Sequence, residues 1–151
     1  MRVVLVGQPF RGDDGVGARV AELLAGAQGP ELELRRVADP TALLHVLDPA
    51  VPTLVVDAVC TGAAAPGTLH RWHGDDLPPR DPPPASGHAL GLATTLALAR
   101  TLGRLPRELT VLGIEGRDFR LGHRLSPEVE EAARAVAARL AGTATAGPAA
   151  S

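Results

Sequence analysis

Apolar positions along this chain come in short blocks separated by polar, Gly- or Pro-rich turns. Val3 to Val6 is one apolar run, ending at Gly7. Leu54-Val55-Val56-Asp57-Ala58-Val59 is a second, and Leu109 to Ile114 is a third. Runs of this length, rich in β-branched residues, predict strands buried on both faces. Leu32, Leu34 and Val37 predict a further strand, and Thr68 to Trp72 another behind the turn signal Pro66-Gly67. A helical stripe begins after the first run: a helix opens near Asp13, carries Val16, Val20, Leu23 and Leu24 inward, and closes at Gly26. Thr41 to Leu47 predicts a weak helix stopped by Asp48-Pro49.

A second long helix is expected from His88 to Leu102, with Ala89, Leu92, Ala93, Leu96 and Ala97 on its inner face and Gly103 as its stop. Ser126-Pro127-Glu128 opens the last helix, with a capping Ser, Pro at the first helical position and an acid in the first turn. Val129, Ala132, Ala133, Val136 and Leu140 face inward on it. Strands alternating with helices give the fold class: α/β, a three-layer sandwich with a mainly parallel five-stranded sheet and helices on both faces. Residues 1–141 form the single domain, and 142–151 read as a flexible tail of small residues. Five prolines between Leu77 and Ser86 exclude a helix or central strand there and predict a stiff surface loop.

Composition removes several function classes. The 151 residues are 45% hydrophobic, enough for a sizeable core. All fifteen basic residues are Arg, against seventeen acids, so no basic footprint for nucleic acid or membrane exists. Aromatics, at 2%, are too few for a base-stacking platform. The first apolar run is too short for a signal-peptide core, and none approaches a membrane span of about 20 residues. A cytoplasmic protein follows as the expectation. Cys60, the single cysteine, excludes an internal disulfide and reads as a small buried hydrophobe.

Candidate chemistry gathers at strand ends. The turn Gly7-Gln8-Pro9-Phe10-Arg11-Gly12-Asp13-Asp14-Gly15-Val16-Gly17 resembles a nucleotide loop only superficially. It is neither G-x-G-x-x-G nor Walker A, and two acids stand where a phosphate would dock. Asp13 reads as a helix cap. Asp14 lies one residue further, with Gly15 and Gly17 allowing close approach to the backbone. Asp57 closes a buried strand, where an acid is costly unless paired or bound. His88 stands at the expected start of a helix, whose positive end favours the neutral, metal-binding imidazole. Ligands of open α/β sheets bind beyond the C-terminal strand ends, where strand order reverses, which brings Asp14, Asp57 and His88 together. Two carboxylates and one imidazole suit a divalent transition metal with open positions. His45 reads as structural, His70 and His73 as exposed, His123 and Asp75-Asp76 as parts of polar turns. No serine elbow or H-E-x-x-H zinc motif occurs.

These segments, in this order, resemble the hydrogenase maturation endopeptidases: Arg11 to Gly17; Val55 to Val59 with Pro66-Gly67-Thr68; Ser86-Gly87-His88 with Leu90-Gly91-Leu92; and Gly113-Ile114-Glu115 with Leu125-Ser126-Pro127. The resemblance spans Val3 to about Leu140. It implies an endopeptidase that removes the C-terminal extension of a nickel-iron hydrogenase large-subunit precursor after nickel insertion. The family's metal-binding and catalytic residues fall on Asp14, Asp57 and His88, and the metal is nickel, the substrate's own ion. The partner would be that precursor, met by a monomer, with no nucleotide cofactor. Whether the metal or a carboxylate, Asp57 foremost, activates water stays open at this level. Gln8 replaces the family's usual Asn, and Asp39-Pro40-Thr41 replaces a Gly-Gly-Thr turn. Two other readings compete: a non-catalytic metal-dependent checkpoint that binds the immature subunit, and a flavodoxin-like nucleotide or flavin binder.

Overall fold

The computed structural model describes residues 1–26, 31–74, 76–77 and 91–145. Five strands form one sheet: β1 (Arg2–Val6), β2 (Glu33–Val37), β3 (Thr53–Val59), β4 (Leu69–His73) and β5 (Leu109–Glu115). Their spatial order is β2-β1-β3-β5-β4. The first four in that order are parallel, and β4 runs antiparallel to β5 along the edge. The helices are α1 (Val16–Leu23), α2 (Leu92–Thr101) and α3 (Pro127–Thr145). Short 3-10 helices occupy Gly12–Gly15 and Pro40–His45. Among the described residues no helix is long and apolar enough to cross a membrane.

The three apolar runs became the central strands β1, β3 and β5, where both faces must exclude water. Successive side chains of β1 serve different cores. Val3 and Leu5 join Val16 and Val20 of α1 and Val129, Ala133 and Val136 of α3. Val4 and Val6 join Leu92, Leu96 and Ala99 of α2 together with Leu43 and Leu47. Each fully buried aliphatic side chain contributes about 1.5–3 kcal/mol, so these two clusters are the main stabilising force. The chain leaves β1 toward β2 on one side and returns to β3 on the other. The reversal of strand order therefore lies between the C-terminal ends of β1 and β3.

α1 crosses β1 closely at Gly17. A Cβ built there would stand 2.3 Å from the Val6 carbonyl oxygen and 2.8 Å from the Val6 carbonyl carbon and nitrogen. The contacts are backbone and have little room to yield. Gly17→Ala gains about 1 kcal/mol of helix propensity, but overpacking of this kind costs about 1–3 kcal/mol, and a clash against backbone lies at the upper end. The variant is expected to unfold at lower urea than the wild type. An unchanged or higher midpoint would show that α1 can lift off the strand. Gly15 meets only ordinary contacts, the Gln8 carbonyl oxygen at 3.4 Å, so of the two glycines only Gly17 is required for close approach.

Several sequence expectations need correction. Ala97 is exposed, and α2 buries Leu92, Thr95, Leu96 and Ala99. Thr95 turns inward because its hydroxyl donates to the Gly91 carbonyl at 3.0 Å, which satisfies it locally. Cys60 is exposed, since it stands one residue beyond β3 at the rim of the sheet. His45 is exposed on its 3-10 helix. α3 continues through Thr145, past the point where the flexible tail was expected to begin. The Pro-rich loop apart from Leu77, the start of the 88–102 helix, and Asp75 lie outside the described residues. Asp39-Pro40-Thr41 forms a capped turn: Asp39 Oδ1 accepts the Thr41 N–H at 2.9 Å, doing by hydrogen bond what a Gly-Gly turn does by backbone freedom.

Candidate active site

Two carboxylates meet where the strand order reverses. Asp14 lies in the 3-10 helix after β1 and Asp57 in the last part of β3, and these elements pack together. Both side chains are buried, at 1% and 3% exposure. Asp14 is oriented by the loop that precedes it, because Gln8 N–H donates to Asp14 Oδ2 at 3.1 Å. That contact uses the backbone of Gln8, so the change from Asn to Gln leaves it intact.

Asp57 is the unusual group. Its Oδ1 is buried without a hydrogen-bond partner among the described residues. Burial pushes its pKa well above the ordinary carboxylate value, the neighbouring Asp14 charge pushes it further, and a hydrogen bond from the Ala58 backbone only partly opposes them. A buried carboxylate oxygen with nothing to accept is an open coordination position or a proton acceptor. His88, the third residue expected here, lies outside the described residues. Among the described residues no three His, Cys, Asp or Glu side chains cluster closely enough to hold a metal ion. The donors that the described fold brings together are Asp14 and Asp57.

Asp13 does not cap its own helix as expected. Its carboxylate accepts Arg117 N–H at 2.7 Å, Asp118 N–H at 2.9 Å, Ser126 N–H at 2.6 Å and Ser126 Oγ–H at 2.8 Å. It thus ties the loop between β5 and α3 to the first turn. Ser126 spends its hydroxyl hydrogen on that carboxylate at the mouth of α3.

A further buried acid was missed. Glu115 ends β5 as Asp57 nearly ends β3, and it is 2% exposed. It accepts Thr61 N–H at 2.8 Å, the Thr61 hydroxyl, and His70 Nε2 at 3.0 Å. Burial alone would raise its pKa, but the Thr61 and His70 hydrogen bonds outweigh that and hold it below the usual value. His70 is half-buried, not exposed as expected: it pairs with Glu115 and stacks on Trp72 at 5.2 Å between ring centroids. The available signal was the acid closing an apolar run, the same signal that marked Asp57. His73 and His123 are exposed, and His123 Nδ1 lies 2.8 Å from Asp118.

The sequence model of the hydrogenase maturation protease family matches residues 38–142. The chain belongs to that family. The match takes in Asp57 and runs from before β3 into α3, and the enzyme is accordingly a peptidase of hydrogenase maturation. The hydrogenase 2 maturation protease of Escherichia coli is 27% identical over 146 residues, covering 86% of this chain and 82% of its own. The crystal structure of a hydrogenase 2 maturation peptidase from Thaumarchaeota archaeon SCGC_AB-539-E09 is 26% identical, with a TM-score of 0.66 over 92% of this protease and 93% of that chain. The fold is also that of the hydrogenase maturating endopeptidase HybD from E. coli, with a TM-score of 0.71 at 24% identity over 92% of this protease and 88% of that chain.

Proposed function

We propose that this protease removes the C-terminal extension of a nickel-iron hydrogenase large-subunit precursor once nickel is in place, and that Asp14, Asp57 and His88 recognise that nickel. The observation that carries the reading is the unpartnered Oδ1 of Asp57 beside the Asp14 carboxylate. Two buried carboxylates that raise each other's energy are relieved by a cation. A nickel ion arriving with the substrate fits this donor set, since carboxylate and imidazole ligands leave positions for the substrate's own thiolates. When bound, such an ion acts as a Lewis acid toward a nearby carbonyl or water. Asp14, held by Gln8 N–H, keeps the geometry fixed, and Asp57, with its free lone pair, is the group equipped to take a proton from water. The fold is read as a three-layer sandwich with helices on both faces, supported by the division of β1 side chains between two cores.

The test is intact-mass analysis of a nickel-loaded and a nickel-free large-subunit precursor incubated with the protease. Loss of a defined C-terminal peptide from the loaded form alone is the expected result. Cleavage of both forms would retain the peptidase and overturn nickel recognition. An unchanged mass with a stable nickel-dependent complex would make the protein a checkpoint that binds without cutting.

A further inference from the structure

Phe10 is 79% exposed and Leu121 is 72% exposed, the two most exposed large hydrophobic residues among those described. They sit on different loops that the fold joins. Gly122 N–H donates to the Phe10 carbonyl at 2.6 Å, and Gly12 N–H donates to the His123 carbonyl at 2.9 Å. Phe10 has φ 67°, and it is the only non-glycine with positive φ among the described residues. A bulky side chain in the left-handed region is a strained outlier, and such strain persists where a site needs it. Glycine at position 10 would remove both the strain and the aromatic ring from water, so folding alone gives no reason for Phe.

Charge surrounds the pair. Residues 116–125 carry Arg117, Arg120 and Arg124 against Asp118, and Arg11 adjoins Phe10. Asp118 is engaged by Arg120 at 2.9 Å and by His123 at 2.8 Å, and Arg117 lies 3.6 Å from Glu128, so the exposed Arg117, Arg120 and Arg124 outweigh the two acids and leave the rim basic. The patch is also fixed relative to the carboxylates. Gln8, two residues before Phe10, holds Asp14, and Asp13 holds Arg117 and Asp118. We infer that Phe10 and Leu121 form a docking surface for the folded body of the substrate protein, inserting into an apolar socket with an acidic rim. Exposed aromatic anchors with a charged surround are the usual composition of such contacts. The inference rests on the proposed reading that the precursor is the substrate, and it adds a recognition element that does not touch nickel.

The test compares wild type, Phe10→Gly, Leu121→Ser and Leu102→Ser. Leu102 is a 56% exposed leucine that lies beside Arg2 at the opposite end of the sheet and serves as the control. Calorimetry gives the Kd for the nickel-loaded large-subunit precursor, and intact-mass kinetics give KM and kcat. Phe10→Gly and Leu121→Ser are expected to raise Kd and KM about tenfold or more, with kcat at saturation held within roughly twofold and Leu102→Ser unchanged. Phe10→Gly is expected to melt no lower than wild type, which separates lost docking from lost folding. Kd values for Phe10→Gly and Leu121→Ser close to wild type would overturn the docking surface and leave the peptidase reading intact. Wild type that binds without cutting would overturn the peptidase reading alone, with docking still judged on Kd. Wild type that does not bind the precursor would overturn both.

Discussion

Asp57→Asn is expected to raise the melting temperature near neutral pH while lowering cleavage by roughly 10²–10⁴-fold, the range for losing a positioned acid–base group. The stability gain follows from the site. Asp57 is buried with one oxygen unpartnered, and burial and Asp14 both raise its pKa. A carboxyl group whose folded-state pKa is raised opposes folding at every pH where the folded state must carry the charge. That opposition fades as pH falls through the folded pKa toward the ordinary value of 3.8, because the folded state then takes up its proton first. Asparagine keeps the shape and removes the charge. A gain of on the order of 1 kcal/mol is typical when a functional group held against stability is neutralised, and it corresponds to about 2–4 °C for a chain of this size. The measurement is the melting temperature of both proteins across pH. The difference should be largest at neutral and alkaline pH and should shrink in acid. A constant difference, or a less stable Asn variant, would show that Asp57 is compensated in the folded state.

Asp13→Ala should be the most destabilising single change at this end of the sheet. Asp13 is 0% exposed and receives four hydrogen bonds, three of them from backbone N–H groups that would lose their acceptor. A hydrogen bond to a charged acceptor contributes about 1.5–3 kcal/mol, and the four act as one network, so the values do not add. A loss of about 4 kcal/mol is expected, comparable with breaking one side of a buried ion pair. Against a total stability of about 5–15 kcal/mol, that leaves the protein marginal. Ser126→Ala removes one bond of the set and should cost about 1 kcal/mol. Urea midpoints of the two variants decide the matter: if Asp13→Ala falls no further than Ser126→Ala, Asp13 is not the tie that the geometry describes.

The contrast between Asp13 and Asp57 shows which features a sequence displays. Asp57 was legible because it interrupts the end of an apolar run, and buried parallel strands announce themselves by such runs. The same rule made β1, β3 and β5 clear, and Glu115 carried the same signal without being read. Asp13 looked like a helix cap because only its near neighbours are visible in sequence order. Its partners lie 104 to 113 residues away. His70 and Cys60 failed for a related reason: exposure at the rim of a sheet depends on which strand lies alongside, and β4 antiparallel to β5 is not encoded in spacing. Thr95 and Ala97 exchanged places because a hydroxyl that bonds its own helix backbone behaves as an apolar residue.

The tie from Asp13 to Ser126 also sets the order in which the molecule becomes competent. The first turn is made well before its partners, and Asp13, the group beside Asp14, completes its hydrogen bonds only after residue 126 has been made. N-terminal segments generally begin folding first during synthesis, and contacts of high sequence separation close last. A nascent chain can therefore pair β1 with β2 and β3 while the turn that carries Asp14 is still slack. The rigidity of that turn therefore waits on the far side of β5, as a property of the assembled sheet rather than of its first strand.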